Sequence, residues 1–426
     1  MLTKKRFNVS IATQIQTCVP KRTKANCFER VWCFIELCKA EKEGKMVKAA
    51  VLTKPGHIEI QEFQKPTLQK GAALCRVLAA GVCGTDKHSY NGETVQYKGT
   101  ANEIDLPFPI IMGHEIVAEI EEIDEEGSRN LEFDNNTLKP GDRITLCPDV
   151  VCGKCYYCKN FPNYPWCDRM LFSYGNMRSC SQPPHLYGGF SEYLYIEPGV
   201  RLYKVPDGMP DNLAVLTEIM CVAYTLDKAK EFNSFSLEGF NFGDTLVIQG
   251  VGALGLMHVI KARMMGMGKI IVTDISDYKL ELAKRFGADI TMNVKKTTEE
   301  ERVERVLEET RGFGADIVVE CVGRPFVVPE GLRMLRKAGM YLEPGNFVDC
   351  GAIELNIHEI CSKNLRIIGM SNHTHTAYRQ SMEMMLRSID QFPWEEFISH
   401  EFSLNDTELA VRTSMTDDSM KVLIKP

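Results

Sequence analysis

No stretch of this chain approaches the roughly 18 consecutive apolar residues that a membrane-spanning helix needs, so no membrane span is expected. An excess of basic residues is missing as well. The 50 Lys and Arg face 57 Asp and Glu, for a formal net charge of −7. Phosphate binding is driven by the opposite balance, which argues against nucleic acid as a main partner. Internal repeats and low-complexity tracts are also lacking, and 426 residues suffice for two or three domains with cores of their own. The N-terminus has no uninterrupted apolar h-region, so a secretory signal is not expected. Acidic residues are absent from the first 27 positions, where Lys, Arg, Ser and Thr recur. That composition suits a mitochondrial presequence; the alternative is a plain extension. Under either reading residues 1–45 are expected outside the fold, with a cytoplasmic protein, or a mitochondrial one if they are a presequence.

What is abundant is cysteine. Sixteen thiols without a secretory signal point to a reducing compartment rather than a disulfide framework. From Met46 onward, short β-like runs such as KAAVLT, IEIQEF and DRITLCP alternate with Gly, Pro and Asp breaks, which predicts a mostly-β domain over residues 46–220. The acidic EEIDEEGSRNLEFDNNTLKPGD reads as a solvated loop ahead of a strand. Over 221–370 the pattern changes: TLVIQG, KIIVTDI and ADIVVECVG are strand-like and alternate with helical periodicity, implying an α/β domain with a parallel sheet. Residues 371–426 read as a segment returning to the first domain.

Two local patterns carry chemistry. QGVGALGL places Gly250, Gly252 and Gly255 in a G-x-G-x-x-G that ends a strand and opens a helix. The first glycine permits the tight turn and the second admits a pyrophosphate. The third lets helix and strand pack closely. Asp274 follows 19 residues after Gly255, where a carboxylate accepts the adenosine ribose hydroxyls and repels a 2′-phosphate, favouring NAD over NADP. Lys279 reaches the same ribose or is a surface lysine. In CGKCYYCKNFPNYPWC, the cysteines Cys152, Cys155, Cys158 and Cys167 have the spacing C-x2-C-x2-C-x8-C, which suits one closed, tetrahedral Zn(Cys)4 site of structural role.

GVCGTDKH at 81–88 and GHE at 113–115 add a thiolate, Cys83, and an imidazole, His114, a pair that suits a borderline-soft ion such as Zn2+. With GHEIVAEI, KPGDRI, CGKCYYC, GGFSEYLYI and GVGALG in this order, the chain over roughly 46–426 resembles the zinc-dependent alcohol dehydrogenase family of the medium-chain dehydrogenases/reductases, in its polyol and threonine dehydrogenase-like branch. The resemblance implies a GroES-like catalytic domain and a Rossmann-like NAD-binding domain. It also implies two zinc ions per chain, one catalytic and one structural, and a homodimer or homotetramer.

The same resemblance implies Glu218 in TEIMCVAYTLDKA as the third catalytic ligand. Ile219 and Met220 stand where the family has Pro-Leu, so Cys221 remains a rival. It further implies a proton relay from Thr85 to His88, and Glu115 beside the ion or one step removed from it. Asp86 is expected to support the site by orienting a ligand histidine. The implied reaction passes a hydride between a small-molecule secondary alcohol, polyol or amino alcohol and NAD. The competing readings are a zinc-free quinone reductase of the same superfamily and a non-catalytic NAD(H)-binding protein. His373 and His375 in SNHTHTAY lack a Cys or carboxylate partner at telling spacing and read as an exposed loop or coenzyme-contacting turn. The YNGETVQYKGT loop after His88 is expected to help shape the substrate pocket.

Overall fold

The apolar run Thr245–Gln249 is buried along most of its length, the signature of a strand covered on both faces. It lies at the centre of a six-stranded sheet. In the computed structural model, which describes residues 45–96, 98–99, 103–162, 166–227 and 243–426, that sheet runs Ile290–Asn293, Lys269–Asp274, Thr245–Gln249, Ala315–Glu320, Leu335–Glu343, Arg366–Gly369. Every pairing in it is parallel. Chain order therefore reverses beside Thr245–Gln249, and in such sheets the crevice beyond the carboxyl ends of the strands at the reversal takes the ligand. Apart from Lys45, the segment 1–45 lies outside the described residues.

The second sheet is antiparallel through its centre. Ala73–Gly81 pairs with Glu115–Ile123 and Tyr193–Ile196, while Arg143–Leu146 and Leu202–Lys204 extend one edge. On the other side Lys421–Lys425 pairs with Ala73–Gly81 and carries Ile398–Ser403 outward. The end of the described chain is thus built into the sheet that supplies Cys83 and Glu115. Among the described residues no helix is long and apolar enough to cross a membrane.

The acidic segment is not the open loop expected from its charge. Glu125–Asn130 is a helix, capped by the Asp124 carboxylate, which accepts the Glu126 amide at 2.9 Å. The other Asp124 contact, the Gly71 amide at 2.7 Å, and the buried Leu131 and Leu138 pin the segment to the body. The charges of the helix face solvent, while two leucines and the buried Glu132 and Asp142 lie in the rest of the segment, a pattern too sparse for periodicity to reveal.

Candidate active site

Cys83 follows the strand Ala73–Gly81 and is the N-cap of the helix Gly84–Asn91. The cap is set by Asp86, whose Oδ2 accepts the Cys83 amide at 2.8 Å. Its Oδ1 accepts the Gly113 amide at 3.1 Å. One fully buried carboxylate thus ties the backbone beside Cys83 to the backbone preceding His114. Asp86 aligns the two donors through their main chains rather than by holding the imidazole, which differs from the expected route.

His114 is buried, and burial works against a charge on it. The Cys83 sulfur, in hydrogen-bond contact, outweighs that and raises the imidazole well above its ordinary value. Asn176 Nδ2 lies 3.4 Å from His114 Nδ1.

Both donors open into a cleft of about 430 Å3 that also presents Thr85, His88, Glu218, Lys279 and the Gly252–Leu254 turn. Thr85 Oγ1 stands 3.8 Å from Cys83 Sγ. His88 Nδ1 is 2.7 Å from Glu93 Oε2, and the ring meets Phe347 edge-on. Among the described residues of the Tyr90–Thr100 loop, none lines the cleft.

Glu218 sits on the short helix Thr217–Ala223, and its Oε1 is 3.0 Å from His373 Nε2. Burial pushes its pKa up, but the His373 hydrogen bond together with the nearby charges of His373, His114 and Lys421 holds it below the usual value. Cys221, one helical turn on, points elsewhere: it is 1% exposed, packs in the main core and lies 3.5 Å from Ser381 Oγ. The geometry brings Glu218, not Cys221, to the cleft. His373 and His375 are not in an exposed loop. Both are buried, His373 against Glu218 and Tyr378, and His375 against Arg201. Their partners lie far away in the chain, so local spacing could not announce them.

Glu115 is fully buried and forms a two-pronged ion pair with Lys421, at 2.7 and 2.6 Å. Lys421 also donates to the Val82 carbonyl at 3.1 Å. Lys421 was missed by sequence reasoning, and so was Lys87. Burial, with Lys421 and Lys279 nearby, pushes its amine down to about 8, and it donates to the Ser414 carbonyl at 2.7 Å.

The glycine turn has the shape of a phosphate cradle. A Cβ on Gly255 would lie 2.0 Å from the Gly250 carbonyl, and Gly250 itself adopts φ +83°. Gly252, by contrast, faces open space and caps the helix Ala253–Met264, whose N-terminus favours an anion. Asp274 Oδ2 accepts the Val251 amide at 2.8 Å and Oδ1 the Ser276 amide at 2.9 Å, so the carboxylate braces the turn. Each oxygen retains a further acceptor direction. These features fit a dinucleotide.

Cys152, Cys155, Cys158 and Cys167 bring their sulfurs within 4.8 Å of one another, the one such group of His, Cys, Asp and Glu among the described residues. The Cys158 amide, donating to Cys155, pulls that thiol down to about 6, whereas burial pushes Cys167 up to about 12. Four convergent thiols with one already acidic fit a zinc ion.

Comparison with known proteins gives the family. The alcohol dehydrogenase GroES-like domain matches residues 69–207 and the zinc-binding dehydrogenase domain residues 253–387. An L-threonine 3-dehydrogenase of Pyrococcus horikoshii is 32% identical over 77% of this chain and 83% of its own. The chain belongs to the zinc-dependent alcohol dehydrogenase family of the medium-chain dehydrogenases/reductases. A sorbitol dehydrogenase of Halalkalibacterium halodurans is 28% identical over 89% of this chain and 99% of its own. A solved alcohol dehydrogenase from Thermotoga maritima superposes with a TM-score of 0.79 at 29% identity, covering 90% of this chain and all of that one. This member of the family is accordingly an oxidoreductase of small-molecule alcohols, with a GroES-like and a Rossmann-like domain, that uses zinc and a nicotinamide cofactor.

Proposed function

We propose that this dehydrogenase oxidises a secondary alcohol, polyol or amino alcohol with NAD, using one catalytic zinc held by Cys83, His114 and Glu218 and one structural zinc held by the four-cysteine lobe. The observation that carries this reading is the shared cleft: the three donors open onto the same cavity as the Gly252–Leu254 turn. When bound there, zinc supplies Lewis-acid polarisation of the alcohol oxygen. The protein does the rest.

Thr85, beside Cys83, receives the alcohol proton at Oγ1. Glu93 holds His88 Nδ1, which leaves Nε2 as the nitrogen that would take up the proton as Thr85 gives up its own. The Gly252 turn and helix N-terminus hold the pyrophosphate, and Asp274 with Lys279 takes the adenosine ribose. A carboxylate at Asp274 disfavours a 2′-phosphate, hence NAD. Glu115, neutralised by Lys421, shapes the floor under Cys83. The relatives named for threonine and sorbitol support a polar alcohol as substrate. A homodimer or homotetramer in the cytoplasm, or in mitochondria if residues 1–45 are a presequence, completes the proposal.

The test combines metal analysis with a cofactor and substrate screen. About two zinc ions per chain and NADH formation with diols, sugar alcohols or hydroxyamino acids are expected. A single zinc per chain, or a clear preference for NADP, would overturn the corresponding part.

A further inference from the structure

Glu218 is not held in the cleft by its own helix alone. Its carboxylate meets an imidazole from the turn between Arg366–Gly369 and the helix Ala377–Arg387, 155 positions away. His373 is 4% exposed, and its Nε2 lies 3.0 Å from Glu218 Oε1 and 3.2 Å from the Tyr378 hydroxyl. Tyr378 is fully buried and stacked on Tyr203, centroids 4.1 Å apart and planes within 5°. The His373 ring stands edge-on to Tyr378, at 87° and 5.2 Å. The imidazole is therefore fixed by a rigid aromatic pair rather than by a loop that could swing. An Nε2–H aimed at Glu218 occupies Oε1 and orients Oε2.

We propose that His373 is the positioning residue of Glu218: its Nε2–H fixes which carboxylate oxygen faces Cys83 and His114, and so sets the affinity of the catalytic metal site. This rests on the reading of Glu218 as a ligand. Carboxylate ligands are ordinarily held by such hydrogen bonds, and losing one typically weakens metal affinity about 10–100-fold. No role in binding substrate or cofactor is needed for this, although the same turn, from Met370 to His373 itself, lines the cleft.

The experiment measures zinc affinity of the full chain by chelator competition, with the thiolate lobe as internal reference, and the electronic spectrum of the Co2+-substituted protein. In His373→Leu, the cleft should bind zinc about 10–100-fold more weakly while the lobe keeps its ion. The Co2+ bands should keep their positions, since the donor set is unchanged. His373→Gln, whose amide nitrogen reaches the place of Nε2, should restore most of the affinity, and His373→Asn, which is too short, should not. That second pair serves the same comparison where the leucine variant does not fold. Unchanged affinity in His373→Leu overturns the proposal, as does a Co2+ spectrum that loses a nitrogen donor, which would make His373 itself a ligand. Glu218→Ala separates the two levels. If it leaves both zinc ions in place, the ligand reading fails; if it strips the cleft while His373→Leu does not, only the positioning role fails.

Discussion

The thiolate lobe and the catalytic cleft are both suited to a metal, yet they are built in opposite ways. The lobe draws four donors from one stretch, Cys152 to Cys167, and its surroundings matter little: Tyr156, Tyr157, Phe161 and Trp166 beside it are exposed. The cleft draws Cys83, His114 and Glu218 from three separate elements, and the last two are each aligned by a side chain from another part of the chain. Asp86 aligns the first two and His373 the third. Geometry in the lobe is local, whereas geometry in the cleft depends on the whole fold. The lobe should therefore fail as a matter of stability, and the cleft as a matter of chemistry.

The strongest way to break that division is a pair of crossed variants. Glu218→Ala should lose one zinc and lower turnover by more than the about 100-fold typical for losing a ligand's hydrogen-bond partner, with NAD binding and Tm little changed. Cys155→Ser should lose the other zinc and lower Tm, while the folded fraction keeps its turnover per catalytic zinc. Metal content, thermal melting and steady-state rates read both. A Cys155→Ser protein that is folded but inactive would collapse the distinction.

A smaller effect is expected beneath the cleft. Lys421→Met leaves the Glu115 carboxylate buried without its partner, a change that typically destabilises by about 3–5 kcal/mol. Glu115→Gln in the same chain should recover part of that loss. Urea unfolding of the single and double variants measures it, and additive effects would show that the pair is not coupled.

The smallest effect concerns the cofactor side. Glu320 Oε1 accepts the Val322 and Gly323 amides, at 2.5 and 2.8 Å, and Asn346 Nδ2 bridges it to Glu343. Burial, then the nearby Glu343 charge, raises Glu320 from its ordinary 4.5 to about 8. A carboxyl whose pKa rises on folding lends stability that is fully present below pH 4.5 and is lost as pH climbs through about 8. Glu320→Gln, a neutral mimic with the same acceptor, should flatten the fall of Tm between those limits. An unaltered pH profile would place the titration elsewhere.

What could be read from sequence followed the same division. Donors close together in the chain, as in CGKCYYC and the GVGALG turn, announce themselves because few other uses fit that spacing. His373 and Lys421 stay silent because their partners are 155 and 306 positions away. The helix Glu125–Asn130 hid for a different reason: its many charges face water, and only two leucines after it report the anchor. Glu218 stood apart from both groups. Family resemblance pointed to it, but the choice against Cys221 needed the helix, which turns one side chain to the cleft and the other into the core.

The Glu115–Lys421 pair has a consequence for how the molecule comes into being. A ribosome makes Glu115 long before Lys421, and the whole nucleotide domain is made between them. The catalytic sheet is thus interrupted by an insertion, and it cannot close around Glu115 until the last described strand arrives. N-terminal domains usually finish folding first during synthesis. Here the inserted nucleotide domain is positioned to fold before the one that begins the fold, and a fragment cut before residue 421 would retain every proposed zinc donor yet lack the countercharge that lets its floor be buried.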